Sequence, residues 1–85
     1  MISFPRLECW NDVTQMVTVV AEVDKKRVLC RISLESLRAK FGVTDDKYMQ
    51  SVARHRLDIQ EAARKLIERN YYEADGSVLI QTHDL

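Results

Sequence analysis

His55 and Arg56 have the strongest case for chemistry, because a helical pattern places both beside apolar positions. On a helix over residues 44–70, His55 falls in the apolar arc between Val52 and Ile59, and Arg56 falls at the edge of that arc. Polar groups that face a sheet cost free energy unless they find partners. Two interpretations follow. Both side chains form internal hydrogen bonds that pin the helix to the sheet, or they line a small pocket for an anion or a peptide end.

Ser51, His55 and Asp58 share one edge of this helix at spacings i, i+4 and i+7, and a serine, histidine and acid trio is typical of hydrolases. A single helix cannot deliver the required geometry of nucleophile, base and orienting acid, and the sequence shows no glycine-rich oxyanion loop. We therefore reject a hydrolase, name no catalytic residue and expect a protein that is not an enzyme.

Metal and cofactor sites are not expected either. The sequence has only two glycines and no glycine-rich phosphate loop, so we expect no cofactor. In a chain with no secretion signal, the two cysteines are expected to be free thiols, with Cys30 on the inward face of a strand. The candidate metal ligands lack the CxxC or HxxxH spacing of structural zinc; they are Cys9, Cys30, His55 and His83.

The segment from Asp24 to Lys40 is the best case for nucleic-acid binding, since it carries six basic and two acidic residues. Its outer strand face lacks the aromatic side chains on which bases stack, and the formal net charge of zero argues against binding through phosphate contacts. We interpret the segment as a charged turn and strand that resist edge aggregation, with nucleic-acid binding as the alternative. The basic residues are Lys25, Lys26, Arg27, Arg31, Arg38 and Lys40.

Four apolar residues are candidates for a protein-interaction surface. Val20 and Leu29 alternate onto the outer face of the predicted hairpin, and Leu57 points opposite to the apolar stripe of the long helix. Trp10 lies in a polar segment, where we expect it to cover an edge of the core, with a partner anchor as the alternative.

Two alternating segments, Met16 to Val23 and Arg27 to Ile32, predict an antiparallel hairpin with one face on the core. The turn between them has no glycine, so we expect a loop of about three to five residues. Ile2 to Phe4 predicts a short N-terminal strand that ends at Pro5.

Two helices and a last strand follow. Ser33 is expected to cap a short helix that ends at Gly42. The long helix is expected to run from 44 to 70, with Thr44, Asp45 or Asp46 as its cap. One helix is preferred because the apolar stripe stays in phase, and the alternative is a break near His55–Leu57, where Asp58-Ile59-Gln60-Glu61 could form an N-cap with a Glu at N3. Asp75-Gly76 predicts a turn before a strand over residues 78–81, with which residues 71–73 are candidates to pair. Residues 82–85 are expected to fray.

These elements predict a single α+β domain over residues 1–85. A small antiparallel sheet, made of the N-terminal strand, the central hairpin and the C-terminal strand, is covered on one face by a short and a long helix. No apolar run approaches the ~20 residues of a membrane span. The first residues lack the pattern of a signal peptide. We therefore expect a cytoplasmic protein without a membrane partner.

Three short motifs resemble those of a known family. They are Ile2-Ser3-Phe4-Pro5 with Trp10, Cys30-Arg31-Ile32-Ser33 with Leu37 and Phe41, and His55-Arg56 with Ile59 and Ala62. Together they span nearly the whole chain and resemble the YrdB-like family of small bacterial proteins, which is classed as a domain of unknown function. The chain departs from that pattern at Asp24-Lys25-Lys26, which replaces a turn containing glycine. The resemblance implies the fold and a bacterial, cytoplasmic setting, and it implies no activity.

The sequence therefore predicts a non-enzymatic module that binds an unknown protein partner or associates with itself. Val20, Leu29, Leu57 and Trp10 are the candidate contact positions. Nucleic-acid binding through Lys25–Lys40 and a small-ligand pocket at His55 and Arg56 are the alternatives.

Overall fold

The computed structural model describes residues 1–5, 8–42 and 48–85, with the side chain of Tyr48 excepted. Within these residues lie a five-stranded mixed sheet, three α-helices and one 3-10 helix, so the predicted α+β arrangement is confirmed. The strands are β1 (Ile2–Ser3), β2 (Glu8–Asn11), β3 (Met16–Val23), β4 (Lys26–Ser33) and β5 (Val78–Ile80). The helices are α1 (Leu34–Phe41), α2 (Tyr48–Arg54) and α3 (Arg56–Glu68), and the 3-10 helix is Thr82–Asp84.

The sheet is built around β3, which pairs antiparallel with β4 on one side and with β1 and β2 on the other. β5 pairs in parallel with β4, with Cys30 opposite Val78 and Ile32 opposite Ile80. This corrects the expectation of an antiparallel sheet at its last strand. The three described helices lie between β4 and β5, and a connection of this kind crosses the sheet and returns the chain in the same direction.

The hairpin turn is shorter than the sequence suggested. Val23 pairs with Lys26, so only Asp24 and Lys25 form the connection, and the predicted loop of three to five residues was wrong. Both residues have positive φ, 50° and 70°, as a two-residue type I′ turn requires. The N–H of Asp24 also donates to the carbonyl of Met1 over 3.3 Å, which ties the turn to the start of the chain.

The ends of α1 and α3 are marked as the sequence indicates. Ser33 caps α1, with its hydroxyl accepting the N–H of Ser36 over 3.1 Å, and Gly42 leaves the helix with φ 67°. After α3, Asn70 has φ 58°, and the N–H of Tyr71 donates to the carbonyl of Leu66 over 2.9 Å. This pattern closes a helix with a left-handed residue.

The predicted continuous helix over residues 44–70 was wrong, because it is interrupted at His55, which has φ −106° and ψ 24°. The backbone bonds from His55 to Ser51 and from Ile59 to His55 persist, at 2.9 and 3.1 Å, so the interruption is a bend. The predicted caps at 44–46 lie outside the described residues.

The C-terminal segment also departs from expectation. Residues 71–73 join no strand, and the last residues are held in place. The hydroxyl of Thr82 donates to that of Ser36 over 3.0 Å, Asp84 accepts the N–H of Gln81 over 2.8 Å, and Leu85 packs against the core.

The core lies between the helices and one face of the sheet. The sheet contributes Val17, Val19, Ala21, Val28, Cys30, Ile32, Val78 and Ile80, and the helices contribute Leu37, Val52, Ile59, Ala62, Ala63, Leu66 and Ile67.

Candidate interaction face

The other face of the sheet has none of the described helices packed on it, and we call it the open face. Its positions follow from strand register, since residues opposed on neighbouring strands point to the same side. Glu22 opposes Arg27, Val20 opposes Leu29, and Thr18 opposes Arg31. The full set is Ser3 on β1, Cys9 and Asn11 on β2, Met16, Thr18, Val20 and Glu22 on β3, Arg27, Leu29, Arg31 and Ser33 on β4, and Leu79 on β5.

The middle of the open face is apolar and concave. Leu29 is 41% exposed, beside half-buried Val20. A groove of about 580 Å³ runs over these two residues and reaches Cys9, Thr18 and Arg31. A second depression of about 390 Å³ continues from Arg31 over Met16 and Leu79. Arg31 borders both, so two adjacent depressions lie on the open face, each lined by aliphatic and polar side chains.

The charges of the open face lie in opposite-sign pairs. Glu22 and Arg27 are cross-strand partners. A guanidinium nitrogen of Arg31 lies 3.6 Å from a carboxylate oxygen of Asp75. The pKa of Asp75 is lowered, first by the hydroxyl and N–H of Ser77, which donate to it over 2.6 and 3.0 Å, and then by Arg31. The face therefore has no strong field of one sign.

Arg56 has an internal partner. Its Nε donates to Glu8 Oε1 over 2.6 Å, and this joins the first turn of α3 to β2. The side chains of Arg56 and Glu8 are 27% and 12% exposed. The hydrogen bond and the charge of Glu8 raise the pKa of Arg56. The interpretation that Arg56 pins the helix to the sheet requires a contact of this kind. The role of His55 and Arg56 stays a prediction.

His55 turns to a different neighbour. Its ring stacks on Phe41 at the end of α1, with ring centroids 4.1 Å apart and an angle of 4° between the planes. Its Nδ1 lies 3.8 Å from a carboxylate oxygen of Asp58. The structure thus directs His55 towards α1 and Arg56 towards β2.

The two cysteines differ in environment. Cys30 is fully buried in the core, and burial raises the pKa of its thiol to about 11. Cys9 is exposed on the open face. In the described part of the chain, no three His, Cys, Asp or Glu side chains are grouped to hold a metal ion. Nor does any helix described there have the length and apolar character needed to cross a bilayer.

The structure separates the predicted interaction positions. Val20 and Leu29 lie together on the open face, whereas Leu57 is 81% exposed on α3, in the helical layer. Trp10 is half-buried on the core side of β2, and its indole N–H donates to Asp12.

The predicted basic residues are also spread out. Lys25, Lys26 and Arg27 lie at the hairpin end of β4, while Arg38 and Lys40 lie on α1, which begins where β4 ends. The eight residues of β4 rise by about 3.3 Å each, so the hairpin group lies roughly 20 Å along the strand from the point where α1 begins. Arg31, between them, is paired with Asp75.

Sequence reasoning placed Thr18, Val20 and Glu22 on the outer face of β3 but missed other positions of the open face, among them Cys9, Met16 and Leu79. The segment that forms β2 has four residues and a polar pattern, which gave no recognisable period. Leu79 lies on the open face because β5 pairs in parallel with β4 and places Leu79 opposite Arg31. The alternation of Thr18 with Val17 and Val19 was the signal that placed Thr18 on this face.

Comparisons with known proteins agree with the geometry. Residues 2–80 match the family described as "Protein of unknown function (DUF1488)". The uncharacterised protein YrdB of Escherichia coli is 35% identical over 78 residues, covering 91% of this chain and 92% of YrdB. YrdB of Shigella flexneri matches equally well. The crystal structure of a DUF1488 protein of unknown function from Shewanella loihica superposes with a TM-score of 0.87 at 20% identity, covering 94% of this chain and 91% of that one. The chain therefore belongs to the DUF1488 family.

Proposed function

We propose that this protein is a non-enzymatic protein-interaction module and that the open face is its docking surface. The observation that carries the proposal is the aliphatic pair Val20 and Leu29, with Leu79 on the next strand of the same sheet face and no described helix over it. Burying one Leu or Val side chain is favourable by about 1.5–3 kcal/mol relative to full exposure. A partner that covers this face would gain part of that free energy at each position.

The electrostatics favour a protein partner over nucleic acid. Arg27 and Arg31 have acidic neighbours in Glu22 and Asp75, which reduces their pull on phosphate groups. The described strand positions of the open face carry no aromatic residue, and Trp10 lines the groove from the core side of β2, so at most this one ring is available for base stacking. Paired charges around an apolar centre are the usual arrangement of a protein interface.

Capture from native lysate tests the proposal, with the wild type compared to Leu29→Glu and Leu57→Glu. The second variant is a matched control, because it adds the same charge at an exposed leucine of the helical layer. We expect the wild type and Leu57→Glu to retain a protein that Leu29→Glu loses, with nuclease present throughout. Equal capture by all three proteins would remove the open face as the docking surface, and recovery that depends on intact nucleic acid would favour nucleic-acid binding.

A further inference from the structure

We propose that the partner of the open face is a second copy of this chain, packed face to face about a two-fold axis parallel to the strands. The axis runs between β3 and β4. This inference rests on the proposed function and names its partner. It is argued from the arrangement of charged and apolar residues on the open face.

A two-fold axis along the strands exchanges the two sides of the sheet and keeps each position along the strands. β3 of one copy therefore faces β4 of the other. Each residue of one copy then faces, on the other copy, the residue that is its cross-strand partner within a single sheet. Because Glu22 opposes Arg27 in the sheet, Glu22 of each copy faces Arg27 of the other. The dimer therefore contains two intermolecular ion pairs, each between a glutamate and an arginine.

The apolar residues meet in the same way. Val20 opposes Leu29, so Val20 of each copy faces Leu29 of the other, next to the axis. In the next row the order across the sheet is Cys9, Thr18, Arg31, Leu79. The axis therefore places Thr18 against Arg31 and Cys9 against Leu79. The centre of the interface is aliphatic, and each arginine faces a neutral or acidic residue.

The alternative two-fold axis, in the plane of the face and across the strands, is disfavoured by charge. That axis would place β4 on β4 with its direction reversed. Centred on Val20 and Leu29, it would set Arg27 of each copy against Arg31 of the other and Glu22 against Thr18. Like charges brought together at an interface cost free energy, which disfavours that pairing. The charge pattern thus selects the axis parallel to the strands.

The size of the face indicates a reversible dimer. From Met16 to Glu22 and from β2 to β5, the face measures about 20 by 14 Å at strand spacings. Stable interfaces bury about 800 Å² of accessible surface on each partner, and the projected area of this face is only about 280 Å², so we expect a weak, reversible dimer. Sheets packed in this way lie about 10 Å apart, with strands within about 30° of each other.

Sedimentation equilibrium from low to high micromolar concentration tests the dimer. We expect the mean mass of the wild type to rise from 9.9 kDa towards twice that value. Leu57→Glu should behave like the wild type, and Leu29→Glu should stay at the monomer mass with an unchanged circular dichroism spectrum. A wild type that stays at 9.9 kDa would overturn this inference. The proposed function would still survive if lysate capture depended on Leu29.

A charge-complementation experiment tests the orientation of the dimer. Glu22→Arg and Arg27→Glu should each weaken self-association by at least about tenfold, because each places two like-charge contacts in the interface. In an equal mixture, the two arginines of one variant face the two glutamates of the other. The mixture should therefore recover association to near the wild-type level. Failure of the mixture, with a wild type that dimerises, would show that the axis is not parallel to the strands.

Discussion

At the scale of single residues, the backbone of Asp24 and Lys25 shows how the chain manages without glycine in its tightest turn. Both residues have positive φ, a region that costs most L-residues about 1–2 kcal/mol. Aspartate tolerates it better than most, and the N–H of Asp24 is used by the carbonyl of Met1. Lys25 lacks both the tolerance of aspartate for positive φ and a stabilising hydrogen bond among those described. The backbone strain of the turn is therefore greatest at Lys25.

Lys25→Gly should therefore stabilise the protein by about 0.5–1 kcal/mol, since glycine adopts positive φ without a steric penalty. Part of the relief is lost to the greater freedom of glycine in the unfolded chain. Urea unfolding measures the change. Lys26→Gly is the matched control: Lys26 lies in β4, where glycine weakens a strand, so it should destabilise. Destabilisation by both variants would contradict the account of the turn.

Burial of the Cys30 thiol should make the stability of the protein depend on pH. The pKa of its thiol rises from 9.0 to about 11 because the thiolate would lie in the apolar core. The folded state thus keeps a proton that the unfolded chain releases. The stability contributed by the neutral thiol is fully present below pH 9 and is lost as the pH rises towards 11.

Between these pH values, we expect the free energy of unfolding to fall further in the protein that keeps Cys30 than in Cys30→Val. The difference should be up to about 3 kcal/mol, because one pKa unit is about 1.36 kcal/mol. Both proteins should carry Cys9→Ser, which prevents disulfide exchange between molecules. The measurement is denaturant unfolding across the alkaline range. The same pH dependence in both proteins would show that other groups titrate instead.

At the scale of elements, the bend at His55 shows which features of the helices the apolar pattern predicts and which it does not. The apolar stripe correctly marked Val52, Ile59 and Leu66 as buried. The possible capping motif at Asp58–Glu61 left a break near His55–Leu57 as the alternative. A continuous helix was preferred because the stripe stays in phase, which agrees with the backbone bonds that persist on both sides of His55. At the bend, two side chains contact distant parts of the chain. His55 stacks on Phe41, and Arg56 reaches Glu8 on β2.

The Arg56–Glu8 pair should be one of the contacts that fix α3 on the sheet. Arg56→Met keeps most of the apolar stem and leaves the largely buried Glu8 carboxylate without its partner, which is costly. We expect a clearly lower urea midpoint for Arg56→Met than for Arg54→Met, a change at an exposed arginine two residues earlier.

A double-mutant cycle separates the pair from other effects of the substitution. Glu8→Gln combined with Arg56→Met should cost less than the sum of the two single changes, because both remove the same interaction. Strict additivity would mean that the two side chains contribute independently. If Arg56→Met left stability at the level of the Arg54→Met control, the pinning interpretation would be wrong.

At the scale of the whole molecule, the open face is a property of topology that local sequence reports only in part. Alternation in β3 and β4 was sufficient to place Val20 and Leu29 on one face. Cys9 and Leu79 reach that face through the registers of β2 on β3 and of β5 on β4, which depend on packing between distant segments. The placement of helices between β4 and β5 did carry a usable signal for a parallel last strand.

If the open faces of two copies pair, the stability of the whole molecule must depend on its concentration, because association favours the folded state by mass action. For a domain of this size, a tenfold rise in concentration above the dissociation constant should raise the thermal midpoint by about 3–5 °C. Calorimetry at several concentrations measures this shift. Leu29→Glu should have a midpoint independent of concentration, whereas Leu57→Glu should follow the wild type. A wild-type midpoint that is constant across the same range would contradict a folded dimer, since no linkage between association and folding would then exist.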